Sequence, residues 1–206
     1  MKIVLASESE WRKNLLAWLE LPFEVVGSGV EETVYADEEA SEVVARLATE
    51  KAEATAKKLS EEVGIVIGAD TVIEIDGKII GKPDNRQDAR KIMQQLAGKT
   101  HEVWTGVCAV DDVGNRRVEV EKTIVKFKPM TQAQIEKYLD QNEWVGKAGG
   151  YQVQGAIKPY VADIQGSYTN VIGLPLLMVQ DMLESLGVGV EVDLPGLIKT
   201  KTGYTS

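Results

Sequence analysis

The stretch G-A-D-T-V-I-E-I-D-G-K-I-I-G-K-P, residues 68–83, constrains the fold more than any other part of the chain. It is entered through Ile65, Val66 and Ile67, a short β-branched run that reads as a buried strand. Asp70 follows, a carboxylate where the apolar run stops. Asp76-Gly77 lies between two apolar runs, 72–75 and 78–80, and that pattern is a strong hairpin signal. A two-residue loop pairs Ile75 with Lys78 and Thr71 with Lys82. A bulge of one residue would instead put Asp70 and Lys82 on one face. Pro83 cannot donate to a ladder and ends it. Either register gathers Asp70, Thr71 and Lys82 at the open end of a hairpin. Such a group is a solvated ion pair or part of a site, and this stretch does not choose between them.

The flanking segments carry further charged residues at element ends. A strand is expected over 2–6, then a helix with Ser7 as N-cap and Glu10 completing a capping box, Ser9 being the rival cap. Trp11, Leu15, Leu16 and Leu19 form its apolar stripe, and Pro22 stops it. Arg12 falls in the first turn, where the helix dipole disfavours a cation; it grips an anion there, or it is simply exposed. After a strand over 23–26 comes a loop with Glu31 and Glu32. Asp37 then caps a long helix to about Leu59, whose inward stripe Ala40, Val43, Val44, Leu47, Ala48 continues into Lys51. That lysine snorkels outward or points into a cleft.

Beyond the hairpin, Asp84 or Asn85 caps a helix ending at Gly98. Strands are expected over 100–110 and 117–127, joined around Gly114-Asn115. Thr131 and Gln134 box a further helix. The glycine-dense 147–155 reads as a loop. Pro175 opens a helix ending near Leu186, 188–194 adds an edge strand, and 199–206 is loose.

The chain has 206 residues, one cysteine, one histidine and a net charge of −9. These totals exclude several chemistries. There is no Cys/His metal site and no internal disulfide. A serine triad would need His101, and no G-x-S-x-G accompanies it. The acidic balance argues against a nucleic-acid face. No segment is apolar enough for a membrane span, and the first residues do not read as a signal peptide, so a cytoplasmic location is expected. What remains is a set of carboxylates (Asp70, Glu31, Glu32) and cations (Arg12, Lys51, Lys82) suited to phosphate chemistry with a hard divalent cation.

The chain resembles the Maf family of nucleoside triphosphate pyrophosphatases. The matching pieces are L-A-S-E-S-E-W-R-K-N-L-L (5–16), E-E (31–32), R-L-A-T-E-K-A (46–52), G-A-D-T-V (68–72), G-K-P (81–83), G-K-T-H-E-V-W-T-G (98–106), K-A-G-G-Y-Q-V-Q-G (147–155) and G-S-Y-T-N-V-I-G-L-P (166–175). The resemblance implies one α/β domain over 1–206, with 187–206 as an extension. Its fold would be a mixed twisted sheet with flanking helices and two lobes around a cleft, like the inosine triphosphatases, commonly as a homodimer. It implies hydrolysis of a nucleoside triphosphate to monophosphate and pyrophosphate with Mg²⁺ or Mn²⁺. Asp70 would be the catalytic acceptor and a metal ligand with Glu32, while Ser7, Arg12, Lys51 and Lys82 would bind substrate. Trp11, Thr71 and Gln154 would set base choice. Thr71 and Gln154 match the dTTP/UTP branch, whereas Trp11 departs from it toward a branch preferring 7-methyl-GTP. A nucleotide-binding regulator of cell division is the alternative from another class.

Overall fold

The structure, a computed structural model, describes residues 2–59 and 64–204. Among these residues one mixed sheet of seven strands organises the fold. The strands are β1 (Ile3–Ala6), β2 (Phe23–Val25), β3 (Ile65–Ile75), β4 (Lys78–Ile80), β5 (Thr100–Asp111), β6 (Arg116–Phe127) and β7 (Val161–Gln165). They lie in the order β2-β1-β3-β5-β6-β7, with β4 pairing β3 off that path. β1 is parallel to β2 and β3, and the other pairings are antiparallel. The helices are α1 (Glu10–Leu16), α2 (Ala40–Lys58), α3 (Arg86–Leu96), α4 (Gln132–Leu139), α5 (Tyr168–Ile172), α6 (Leu176–Ser185) and α7 (Leu194–Thr202). This is the expected mixed α/β sheet with flanking helices.

The position of the site follows from how β3 is paired. One edge of β3 is matched by β5 from Ile65 to Glu74. The other edge is shared: β1 covers Ile65 to Gly68, and β4 covers Ile73 to Ile75. Residues 69–72 have no strand opposite them on that edge, so the sheet is split there. Side chains alternate along a strand. Asp70 therefore lies on the same face as Val66, Gly68 and Val72, while Thr71 lies on the face of Ile67, Ala69 and Ile73. Two neighbours in sequence thus open toward the split from opposite faces of the sheet.

α2 covers the Asp70 face. Its buried residues are Ala40, Val43, Val44, Leu47, Ala48, Lys51, Ala52 and Thr55, so a lysine sits inside a mostly apolar stripe. The helix comes close because the sheet offers no Cβ beneath it. A Cβ at Gly68 would lie 2.6 Å from the Ala52 nitrogen, and one at Gly106 would lie 2.8 Å from the Ala45 nitrogen. Against the other face, α1 and α6 bury Leu15, Leu16, Leu176 and Leu183 over β1 and the start of β3. Past the split, α3 and α4 bury Ile92, Met93, Leu96 and Leu139 over the end of β3 and over β5. Ile172 of α5 packs on both groups.

Several sequence expectations need correction. β3 runs unbroken through Asp70, because β5 supports it over its whole apolar length. The hairpin does form with Ile75 opposite Lys78, but β4 ends at Ile80, so Thr71 never pairs with Lys82. Ser9, not Ser7, caps α1, accepting from the Arg12 backbone N–H at 3.4 Å. α2 starts at Ala40 rather than after Asp37: Glu39 is its cap, and Glu42 accepts from the Glu39 N–H at 3.0 Å. Pro175 is the N-cap of α6 rather than its first helical residue. The expected edge strand over 188–194 is not formed. Val188 and Val190 instead pack on the α1–α6 core. The tail expected to be loose holds α7, capped by Asp193 and anchored by buried Leu194 and Ile198. Residues 205–206 lie outside the described residues. β7 and α5 had no counterpart in the sequence reading.

His101, on β5, is buried between Phe127 and Tyr151, with Nε2 2.7 Å from the Tyr151 hydroxyl. Burial pushes its pKa down to about 4 from an ordinary 6.5. The unfolded chain therefore takes up this proton below about pH 6.5, whereas the native state does not until about pH 4. The stabilisation is complete above pH 6.5 and is lost as pH falls toward 4. Since this is the sole histidine, urea unfolding should lose about 2 kcal/mol between pH 6.5 and 5. Substitution by Asn should flatten that slope; an unchanged slope in the variant would assign the effect to other groups.

Candidate active site

The split in the sheet opens into a cleft of about 490 Å³. Ser7, Trp11, Arg12, Glu32, Lys51, Asp70, Thr71, Lys82 and Gln154 all line it. Glu31, the other carboxylate of the sequence set, does not line it and is exposed.

Its floor is a run of alternating charges. The Lys51 ammonium donates to Asp70 Oδ1 and to Glu32 Oε1, each at 2.6 Å. Lys82 pairs with the second Glu32 oxygen. Lys82, Glu32, Lys51 and Asp70 are thus linked in series, although α2, β3 and two separate loops supply them. Asp70 is 4% exposed and Lys51 likewise 4%. The Lys82 side chain keeps 51% of its surface in solvent. Burial works to raise the Glu32 carboxyl, but hydrogen bonds from Lys51 and Lys82 outweigh it and hold its pKa at about 2. Lys82 and Asp70, expected to meet at the hairpin mouth, are joined only through Glu32 and Lys51.

Arg12 forms a second cationic group across the cleft. Its Nε donates to the Gly173 carbonyl at 2.8 Å, and Nη2 to Thr71 Oγ1 at 3.0 Å. Thr105 donates to the Asn170 carbonyl at 3.3 Å, so Thr71 donates onward to Thr105 at 2.9 Å. This chain of single donors leaves Thr71 only its acceptor role toward Arg12. Desolvation lowers the guanidinium pKa, opposed by Asp70 and Glu32; Arg12 stays a cation at neutral pH. Ser7, 7% exposed, accepts from the Ser9 N–H at 3.2 Å.

The third wall is the glycine-dense segment. Gly149 has a positive φ of 62°, and its N–H donates to the Gly81 carbonyl at 3.0 Å. A Cβ at Gly149 would run into the Ile73 side chain. Absence of that Cβ lets the segment close on the end of β3. It presents Lys147, Gln152 and Gln154 to the cleft. The Gln154 amide oxygen is buried without a hydrogen-bond partner. Sequence reasoning left this stretch a plain loop. Its signal was a lysine and two glutamines interleaved with three glycines.

Among the described residues, no three acidic, histidine or cysteine side chains stand close enough to hold a metal by themselves. Glu32 and Asp70 are two hard oxygen donors already sharing one cation, Lys51. Mg²⁺ is commonly held by one or two carboxylates together with substrate phosphates, and this donor set fits that pattern.

A Staphylococcus aureus Ham1 protein has a similar fold, with a TM-score of 0.52, 16% identity, and coverage of 90% of this chain and 99% of that one. A protein of Pelotomaculum thermopropionicum named dTTP/UTP pyrophosphatase is 42% identical over 191 residues, which are 92% of this chain and 98% of the relative. A Bacillus cereus protein of the same name is 41% identical over 189 residues, 92% of this chain and 97% of its own. The pattern described as Maf-like protein matches residues 2–186, and on that match and these relatives the chain belongs to the Maf family.

Proposed function

We propose that this protein hydrolyses dTTP and UTP to the nucleoside monophosphate and pyrophosphate. The observation that carries the reading is the single cleft in which Arg12, Lys51 and Lys82 face Glu32 and Asp70 at the split of the sheet. In a chain of net charge −9, these cations are gathered where a triphosphate could lie. The names of the relatives support the choice of substrate.

Arg12, Lys51 and Lys82 hold the phosphate oxygens. Phosphate arriving at the two lysines competes with Glu32 and Asp70 for them and frees carboxylate oxygens. Asp70 takes the proton of the attacking water, whose oxygen adds to phosphorus as the bond between the α- and β-phosphates breaks and pyrophosphate leaves. Glu32 and Asp70 would hold Mg²⁺ or Mn²⁺, which would neutralise phosphate charge and polarise the P–O bonds. Buried Lys51 keeps Asp70 in place, and the Gly173 and Thr71 contacts fix Arg12. Trp11 offers a flat ring to the base. The unpartnered Gln154 oxygen suits the imide N–H of uracil or thymine. By family likeness the working form is a cytoplasmic homodimer.

A screen of nucleoside triphosphates with Mg²⁺, including 7-methyl-GTP, tests the reading. dTTP and UTP should lead it. Trp11→Arg should alter the ranking of bases more than the maximal rate. Turnover led by 7-methyl-GTP, or tight binding with no product, would contradict it.

A further inference from the structure

We propose that Arg46 is the positioning residue for Glu32, fixing the loop before α2 so that Glu32 stays in the cleft. The proposal rests on the reading of Glu32 as a group that faces phosphate and metal.

Residues 26–39 contain no helix or strand. A stretch that long without regular structure is uncommon in a packed domain and is often functional. α2 holds it with three cations spaced along the helix. Lys58 donates to the Ser28 carbonyl at 2.5 Å, Lys51 to Glu32 at 2.6 Å, and Arg46 to the Thr33 carbonyl at 2.8 Å. The loop therefore runs antiparallel to the helix, tied near its start, at Glu32 and beyond it.

The tie at Arg46 is the most elaborate. Its guanidinium forks the Glu38 carboxylate, Nε to Oε1 at 2.5 Å and Nη2 to Oε2 at 2.7 Å. Glu50 braces it at 3.2 Å, and its Cζ lies 4.6 Å from the centre of the Tyr35 ring. The Thr33 carbonyl belongs to the residue directly after Glu32, so this bond fixes the main chain beside the site. Lys51 and Lys82 hold only the far end of the Glu32 side chain. Those two contacts are the ones an incoming triphosphate competes for. Arg46 is then the tie that keeps Glu32 in the cleft while its lysines turn to phosphate. A lysine at 46 cannot supply the two-pronged fork to Glu38 while also reaching the Thr33 carbonyl.

The test uses the full chain with Arg46→Lys, and Glu38→Gln as a variant that weakens the same fork from the loop side. In protein free of metal and nucleotide, chymotryptic cleavage after the exposed Tyr35 should quicken about tenfold. The Mg²⁺ concentration giving half-maximal dTTP hydrolysis should rise about 10- to 100-fold, the usual loss when a group supporting a metal ligand is removed. The rate at saturating Mg²⁺ should change far less. Cleavage at the wild-type rate in both variants overturns the proposal. So does faster cleavage with an unchanged Mg²⁺ requirement, if Glu32→Gln itself shifts that requirement. If Glu32→Gln leaves it unchanged, the metal reading of Glu32 fails, and cleavage after Tyr35 still decides whether Arg46 holds the loop.

Discussion

Asp70→Asn should lower the rate of dTTP hydrolysis by about a thousandfold, within the range of about 10² to 10⁴ typical for loss of a general base. Asn keeps the shape of the side chain but loses its charge, and with it the proton acceptor and one of the two carboxylates that would hold the metal. Lys51 retains its 2.6 Å bond to Glu32, so the cationic floor survives. Nucleotide affinity should therefore change little, and the effect should appear in kcat rather than KM. Single-turnover assays beside equilibrium binding of dTTP separate the two. A variant with near-normal turnover would remove Asp70 from the chemistry. A variant that no longer binds dTTP would make Asp70 a binding group instead.

Lys51→Met should cost the fold about 3–5 kcal/mol, because it strips a buried carboxylate of its counter-charge. Asp70 is 4% exposed, and Lys51 is the cation bonded to it. Activity should fall as well. Lys82→Met should cost less than about 1 kcal/mol, since the lost pair is exposed and water replaces it. Both lysines face phosphate, so both variants should be impaired as enzymes; stability distinguishes them. The double variant Lys51→Met with Asp70→Asn should regain much of the lost stability, because no buried charge is left unpaired. Urea unfolding of the four proteins checks this. Equal losses for the two lysines, or a double variant no more stable than Lys51→Met, would mean that Lys51 is not the counter-charge of a buried acid.

The charged residues of the cleft were legible because each broke a local rule. Lys51 interrupted an apolar stripe, Arg12 stood at the wrong end of a helix dipole, and Asp70 followed a β-branched run. Their convergence was not legible, since it depends on which strands border β3. Periodicity gives no hint that β1 stops opposite Gly68 and β4 reaches no further than Ile73. A helix of five residues such as α5 is too short to show a period, yet its C-terminal cap Gly173 holds Arg12. α7 did carry a signal, the Asp193 cap with Pro195 in the first turn. The alternating valines before it, Val188, Val190 and Val192, outweighed that signal and suggested a strand. Arg46 went unremarked because nothing local separates a positioning arginine from a solvated one.

All of the chemistry rests on a triphosphate lying in the split beside Asp70 and being cut between its α- and β-phosphates. Quantifying the products released from dTTP with Mg²⁺ is the most direct test. Equal amounts of dTMP and pyrophosphate, with no orthophosphate, are expected. Release of dTDP with orthophosphate would place the cut at the wrong bond and contradict the account.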